Sequence, residues 1–373
     1  MSRSRLLVRS TIGSQFGRRN SLNLIRLVLA SSVIVSHAWS LGGFGPEPRI
    51  GSTTVGSLAV LCFFAISGYL ITMSRESTPG WRYLWHRFLR IFPGYWVCVL
   101  FIAAVVAPLA WLKYQTTFDG YPLEGAFKYV VGNFALKTTL VPSIAGTQTT
   151  LNPSFQYWNG AAWSLFFEFL CYILVAILAY LRLLKPLGVG IVLAGGSALL
   201  LAWEVVPGPM EALLFRSQDA YRLVTTGTVF AAGSMLYLYR DRIACSWRIA
   251  AGSAVILGLG LVFLKHPEWA VAGPVAYLMI WLGIRLPLHN LAKTDISYGT
   301  YIYAYPVAQL LTIYGVNDLG LVPYVAVTFL IVVPLAAASW FGIERKALRL
   351  KHFGATKRNA PARHLDPEPA RLT

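Results

Sequence analysis

Apolar runs of about twenty residues, separated by short polar stretches, recur along this chain from residue 22 to about residue 343. Ten can be marked out, at approximately 22–41, 54–73, 94–112, 160–180, 187–206, 221–240, 247–264, 268–286, 296–315 and 321–343. A helix needs about 20 residues to cross a hydrocarbon core of roughly 30 Å. Backbone groups in lipid must be satisfied within their own segment, so these runs predict helices; membrane strands would be shorter and would alternate. The pattern predicts an all-α polytopic membrane protein with about ten transmembrane helices. Residues 1–20 are polar and basic and read as a disordered tail, and 345–373 as a basic tail, disordered from about 352 onward where Pro, Ala, Arg and Lys follow no period; between the two lies one membrane domain, 21–344. The leader before Leu22 resembles the start of a signal peptide, but the apolar run that follows is long and holds Arg26, which favours a retained first span. The longest polar excursion, 113–159, interleaves Tyr114, Phe118, Tyr121, Phe155, Tyr157 and Trp158 with polar residues. These rings either anchor the loop among headgroups or, with Tyr157, Trp158 and Trp163 foremost, form a platform for a bulky outside substrate such as a sugar ring.

Composition supports the membrane reading: 56% of residues are hydrophobic, 13% are charged, and the mean hydropathy is +0.57. The net charge of +17 would by itself suggest a nucleic-acid partner. Its distribution argues against one. With the N-terminus cytoplasmic, 24 Lys and Arg fall on the inner side and six on the outer, with Arg26 and Arg222 inside spans. That asymmetry predicts both termini in the cytoplasm. Cys62, Cys98, Cys171 and Cys245 have no paired spacing and read as small apolar residues.

Arg26 and His37 lie in the first span eleven residues apart, which puts them on one helix face and about 16 Å apart along the axis. Ionisable groups in a span are costly and usually face a bundle interior or a wet cavity. Neutral imidazole suits proton abstraction near neutral pH, which makes His37 a candidate general base. Glu168, two turns below the outer end of the fourth span, is at a depth where it could orient His37 and stabilise its imidazolium. Arg87 and Arg90, three apart, are helix neighbours whose guanidinium forks suit phosphate. Together with Arg26 they predict a basic cytoplasmic mouth for a polyphosphorylated substrate. Ser67 could hydrogen-bond a thioester carbonyl. Arg222 and Glu204 should snorkel or pair near the outer surface, and Glu344 should neutralise nearby basic residues. No Walker loop, zinc-protease motif, metal-binding acidic pair or CxxC set appears, so no metal cofactor is expected.

These motifs together resemble the acyltransferase type 3 family of integral membrane O-acyltransferases, from about residue 23 to 344. The resemblance rests on the Arg26–His37 spacing, on Phe63-Phe64-Ala65-Ile66-Ser67-Gly68-Tyr69-Leu70-Ile71, on Arg87-Phe88-Leu89-Arg90-Ile91-Phe92-Pro93, on Trp163-Ser164-Leu165 with Glu168, and on Ser297-Tyr298-Gly299-Thr300-Tyr301. It departs from the family at Ala304, where many members carry His, and at Glu344-Arg345-Lys346, where many read Glu-x-Pro. The resemblance implies transfer of an acyl group, most often acetyl, from cytoplasmic acyl-CoA to a hydroxyl of a cell-envelope or secreted glycan or a lipid-linked saccharide. It also implies a multi-pass protein of a bacterial inner membrane. His37 would act as base or would itself carry the acyl group. Saccharide transport or flipping, and acylation of a small hydrophobic molecule, are the competing readings.

Overall fold

The computed structural model describes residues 10–17, 19–147, 157–288 and 294–352; Phe155 and most of both expected tails lie outside them. Long helices occupy all ten apolar runs: α1 (Leu22–Leu41), α2 (Val55–Ser77), α3 (Gly80–Phe101), α4 (Trp163–Tyr180), α5 (Pro186–Val205), α6 (Gln218–Leu238), α7 (Trp247–Phe263), α8 (Glu268–Arg285), α9 (Ser297–Ile313) and α10 (Leu321–Ser339). Six of them (α1 to α5 and α10, taking α3 and α10 with their continuations) are long and apolar enough to cross a membrane by length and composition. The chain is an all-α membrane protein. In α6, Gln218, Asp219, Arg222 and three Thr dilute the apolar character. Such a helix depends on protein neighbours, and α6 packs against α2, α5 and α8.

Small residues let α6 approach α2 closely. A side chain at Gly68 would collide with the Phe230 carbonyl, and one at Gly233 with the Ala65 carbonyl. The two backbones therefore touch reciprocally, the usual way membrane helices gain packing energy where lipid removes the hydrophobic drive. Helix α1 sits between α2 and α9.

Three expectations need correction. Helix α3 starts at Gly80 rather than near residue 94, so Arg82, Arg87 and Arg90 lie within it. It then continues through a π-helical turn, Ile102–Val106, into Ala107–Gln115, a rod of 36 residues. Pro108 explains the turn, because its ring excludes the regular hydrogen bond to the preceding turn. The amino-terminal stretch is not wholly a loose tail. Ile12 is fully buried, and its N–H bonds the Ile243 carbonyl at 2.9 Å while Cys245 N–H bonds Ser10 O at 2.8 Å. At the other end, α10 continues through Trp340–Glu344 into Arg345–Arg349 and a final turn, Leu350–His352, rather than ending at 344. Trp85 Nε1 donates to Leu350 O at 3.3 Å, and His86 Nε2 lies 3.2 Å from Lys351 O, which ties that turn to α3.

Candidate active site

His37 lies one turn before the end of α1, where the chain leaves through Gly42-Gly43-Phe44-Gly45-Pro46. Gly43 at φ +77° and Gly45 at φ +131° take conformations that side chains disfavour, and this reversal returns Glu47 to the helix it has just left. Glu47 Oε1 lies 2.7 Å from His37 Nδ1, and Ser36 Oγ donates to Oε2 at 2.8 Å. Ser40 Oγ adds a 3.3 Å contact, and Gly56 N–H, in the first turn of α2, holds Ser36 Oγ at 3.0 Å. Burial alone would raise the Glu47 carboxyl. The His37 ring and the two hydroxyls more than offset it and hold the group below the ordinary carboxylate value. An ionised carboxylate only accepts, so Nδ1 carries a proton, and in the neutral imidazole the lone pair then sits on Nε2. His37 lines a narrow, mainly apolar chamber with Val33, Ile34 and Tyr305, whose ring meets the imidazole edge-on at 5.3 Å.

Glu168 is not the partner of His37. Its Oε1 accepts from Ser67 Oγ at 2.9 Å and from Tyr172 OH at 2.5 Å. The Ser67 proton is thereby committed to Glu168 rather than free for a thioester oxygen. Glu168 lines a second cavity together with Arg26, Phe63, Ser164 and Tyr298. Tyr301 is the wall common to both spaces. Its hydroxyl donates to Ala161 O at 2.6 Å and lies 2.8 Å from Ser164 Oγ.

The expected basic mouth is present but largely neutralised. Asp295, just before α9, pairs with Arg26 at 3.2 Å and with Arg90, and accepts from Ser297 Oγ at 2.6 Å. Glu344 adds a 3.8 Å contact to Arg90. Burial opposes ionisation of Asp295, yet the Arg90 and Arg26 guanidinium groups hold its carboxyl far below the usual range. Asp295 and Glu344 thus stand against Arg26 and Arg90, and Arg87 and Lys351 are the cations of this end without a carboxylate partner among the described residues. Arg87 makes no ion pair among the described residues, has a buried Nε with no hydrogen-bond partner there, and lies 5.9 Å from the Tyr172 ring centroid. Burial, Arg87 and Arg90 push the Lys351 ammonium down to about 8.

At the opposite end, Trp158 is fully buried and its Nε1 donates to Thr147 Oγ1 at 3.0 Å. It is a core residue of the excursion, not an open platform, because its indole N–H found a partner inside. Tyr157 is partly buried, and its carbonyl accepts from Gln309 Nε2 at 2.8 Å. Trp163, at the start of α4, faces the Arg222 guanidinium at 4.4 Å. Glu204 accepts the backbone N–H groups of Lys265 at 3.1 Å and His266 at 2.7 Å.

Sequence reasoning missed Glu47, Asp295 and Lys351. Glu47 left a signal: it is the first acidic residue of the chain, next to a glycine-rich reversal and ten residues after His37. Lys351 left none, since it sits in what reads as a tail.

The sequence profile of a family described as an acyltransferase domain matches residues 19–341. The chain belongs to this acyltransferase type 3 family and is an acyltransferase. It is 25% identical over 342 residues to an O-acetyl transferase of Shigella phage Sf6, covering 89% of this chain and 96% of the relative. It is 28% identical over 372 residues to Nodulation protein 10 of Rhizobium leguminosarum bv. viciae, covering 90% and 95%. No solved structure matches.

Proposed function

We propose that this multi-pass acyltransferase moves an acyl group, acetyl in the first instance, from cytoplasmic acyl-CoA to a hydroxyl of an envelope or secreted glycan. In this reading the ten long helices all cross a bacterial inner membrane with both termini in the cytoplasm, as the charge asymmetry favours. The basic end, with Arg26, Arg87, Arg90 and Lys351, then faces the donor, and His37 lies towards the outer side. The observation that carries the proposal is the His37–Glu47 pair at 2.7 Å, with Nε2 left as a base in a chamber adjoining the cavity that Arg26 lines. The name of the Shigella phage relative supports oxygen as the accepting atom.

Arg87 and Lys351, the least neutralised cations, bind donor phosphates, with Arg90 and Arg26 held in place behind them by Asp295. His37 Nε2 removes the acceptor hydroxyl proton as the oxygen attacks the thioester carbonyl. Glu47 stabilises the imidazolium that forms. The C–S bond then breaks, and the departing CoA sulfur takes the proton from His37, which restores the starting state. Glu168, fixed by Ser67 and Tyr172, shapes the cavity between the two ends.

Purified protein supplied with radiolabelled acetyl-CoA and a glycan fraction tests the proposal. His37→Ala should lower CoA release by at least about a thousandfold, in keeping with loss of a base and of the groups that act through it. CoA release at the wild-type rate in that variant would remove His37 from the chemistry.

A further inference from the structure

A third space lies at the end of the bundle away from Arg87 and Lys351. It is a cleft of about 640 Å³ between the first turns of α2, α4, α6 and α8. We propose that it is the acceptor site, binding a sugar unit of the glycan through Arg222, Glu268 and the Trp163 ring; this rests on the acyl-transfer reading above.

The lining is unlike that of a lipid-filled crevice. Trp163, Gln218, Tyr221, Arg222, Thr226 and Glu268 all face it, and polar groups at this density inside a membrane protein mark a wet cavity or a substrate path. Glu268 is 5% exposed, and its Oε2 has no hydrogen-bond partner among the described residues. Its Oε1 accepts from Tyr221 OH at 3.2 Å. A buried carboxyl oxygen without a partner is costly, and a ligand hydroxyl would supply one. Arg222 is paired only loosely with Asp219, at 3.8 Å, and its guanidinium carbon lies over the Trp163 ring, 4.4 Å from the centroid. The Thr225 and Thr226 hydroxyls donate back to their own helix, at 2.9 Å to Tyr221 O and 2.5 Å to Arg222 O, which turns their lone pairs outward as acceptors. Fixed donors, fixed acceptors and an indole ring suit a polyhydroxylated ring. They suit a polyphosphate poorly, since Asp219 stands beside the one guanidinium and a second acid, Glu268, lines the same cleft. Val60 is a wall both of this cleft and of the Arg26–Glu168 cavity, so the cleft adjoins the path to Tyr301 and His37.

The test uses purified full-length protein, radiolabelled acetyl-CoA and the envelope polysaccharide fraction from cells lacking the gene. Label incorporated into glycan is followed against glycan concentration at saturating acetyl-CoA. Arg222→Gln and Glu268→Gln should each raise the half-saturating glycan concentration at least tenfold, with kcat and the KM for acetyl-CoA within twofold of wild type. Ser57→Trp, at an exposed position in the mouth, should do the same without touching a buried charge, which covers the case in which a Gln variant fails to fold. Unchanged glycan saturation in Ser57→Trp and in the folded Gln variants overturns the acceptor site while leaving acyl transfer standing. A rise in the KM for acetyl-CoA instead assigns the cleft to the donor and also overturns it. No CoA release and no labelled glycan with wild-type protein would refute the underlying acyl transfer, and the acceptor site with it.

Discussion

Replacing Glu47 by Gln keeps the shape of the loop and removes one charge from the side chain nearest the proposed base. Glu47 contacts His37 Nδ1 at 2.7 Å, and the two side chains are 21% and 24% exposed. Unit charges about 4 Å apart attract by about 4 kcal/mol at an effective dielectric of about 20. A charge-assisted hydrogen bond nets about 1.5–3 kcal/mol, and partial exposure favours the lower part of this span. A loss of about 1.5–2 kcal/mol of imidazolium stabilisation corresponds to a fall in kcat of about 10- to 30-fold. The assay is CoA thiol release in detergent at saturating glycan. The KM for acetyl-CoA should hold steady, since Glu47 lies at the other end of α1 from the cations proposed to hold the phosphates. Because the carboxyl is held below its ordinary value, its contribution is present at all pH above that value and is lost only as pH falls through it. The defect should therefore be the same at pH 6 and pH 8. If Glu47→Gln stays within threefold of wild type while Glu168→Gln abolishes turnover, the orienting carboxylate is Glu168 and the dyad is incidental.

Two further outcomes follow from the basic end. Lys351, lowered to about 8 from an ordinary value of about 10.4, should lose its charge in the folded protein above pH 8. Acetyl-CoA affinity by calorimetry should then weaken about fivefold between pH 7 and pH 9, the effect of about 1 kcal/mol for one partly screened ion pair. Over the same range the unfolded chain holds more protons, so folding stability should rise with pH; Lys351→Gln should flatten both trends, and a wild-type affinity without pH dependence contradicts the assignment. Asp295→Asn leaves Arg26 and Arg90 without their shared anion and should cost about 3–5 kcal/mol, read as a lower melting temperature in detergent. Wild-type stability from Asp295 should be full above about pH 4 and fall on acidification, whereas the variant should be flatter there; an unchanged melting temperature would mean that other groups hold the two guanidinium side chains.

The helices were legible because twenty-residue apolar runs have few structural solutions in lipid. Arg26 and His37 were legible as a pair because a helix converts eleven residues into one face. The sequence could not reveal which carboxylate meets His37: Glu168 and Glu47 both stand at a plausible depth, and only the reversal at Gly43 and Gly45 decides between them. Asp295 was equally hidden, since five basic and aromatic motifs drew attention to the cations and none to the single acid between them. Trp158 misled for a related reason. An aromatic residue in a polar stretch looks exposed until its N–H is traced to Thr147. The carboxyl-terminal turn carrying Lys351 escaped notice because Arg345, Lys346, Arg349 and Lys351, four basic residues in seven, give the segment the look of a solvated tail.

Tyr301, the wall between the His37 chamber and the Arg26–Glu168 cavity, also bears on how the cell keeps its membrane energised. Under the proposed topology, a continuous water-filled passage through the two spaces would be a pore through which protons run down their gradient. A phenol ring pinned at its hydroxyl by Ala161 and Ser164 closes that wire with one side chain. In the proposed reaction the acyl group has to pass it while ions do not, which sets the same demand for electrical tightness as in a transporter, and proton leakage in vesicles carrying Tyr301→Gly is where a failure of that seal would register.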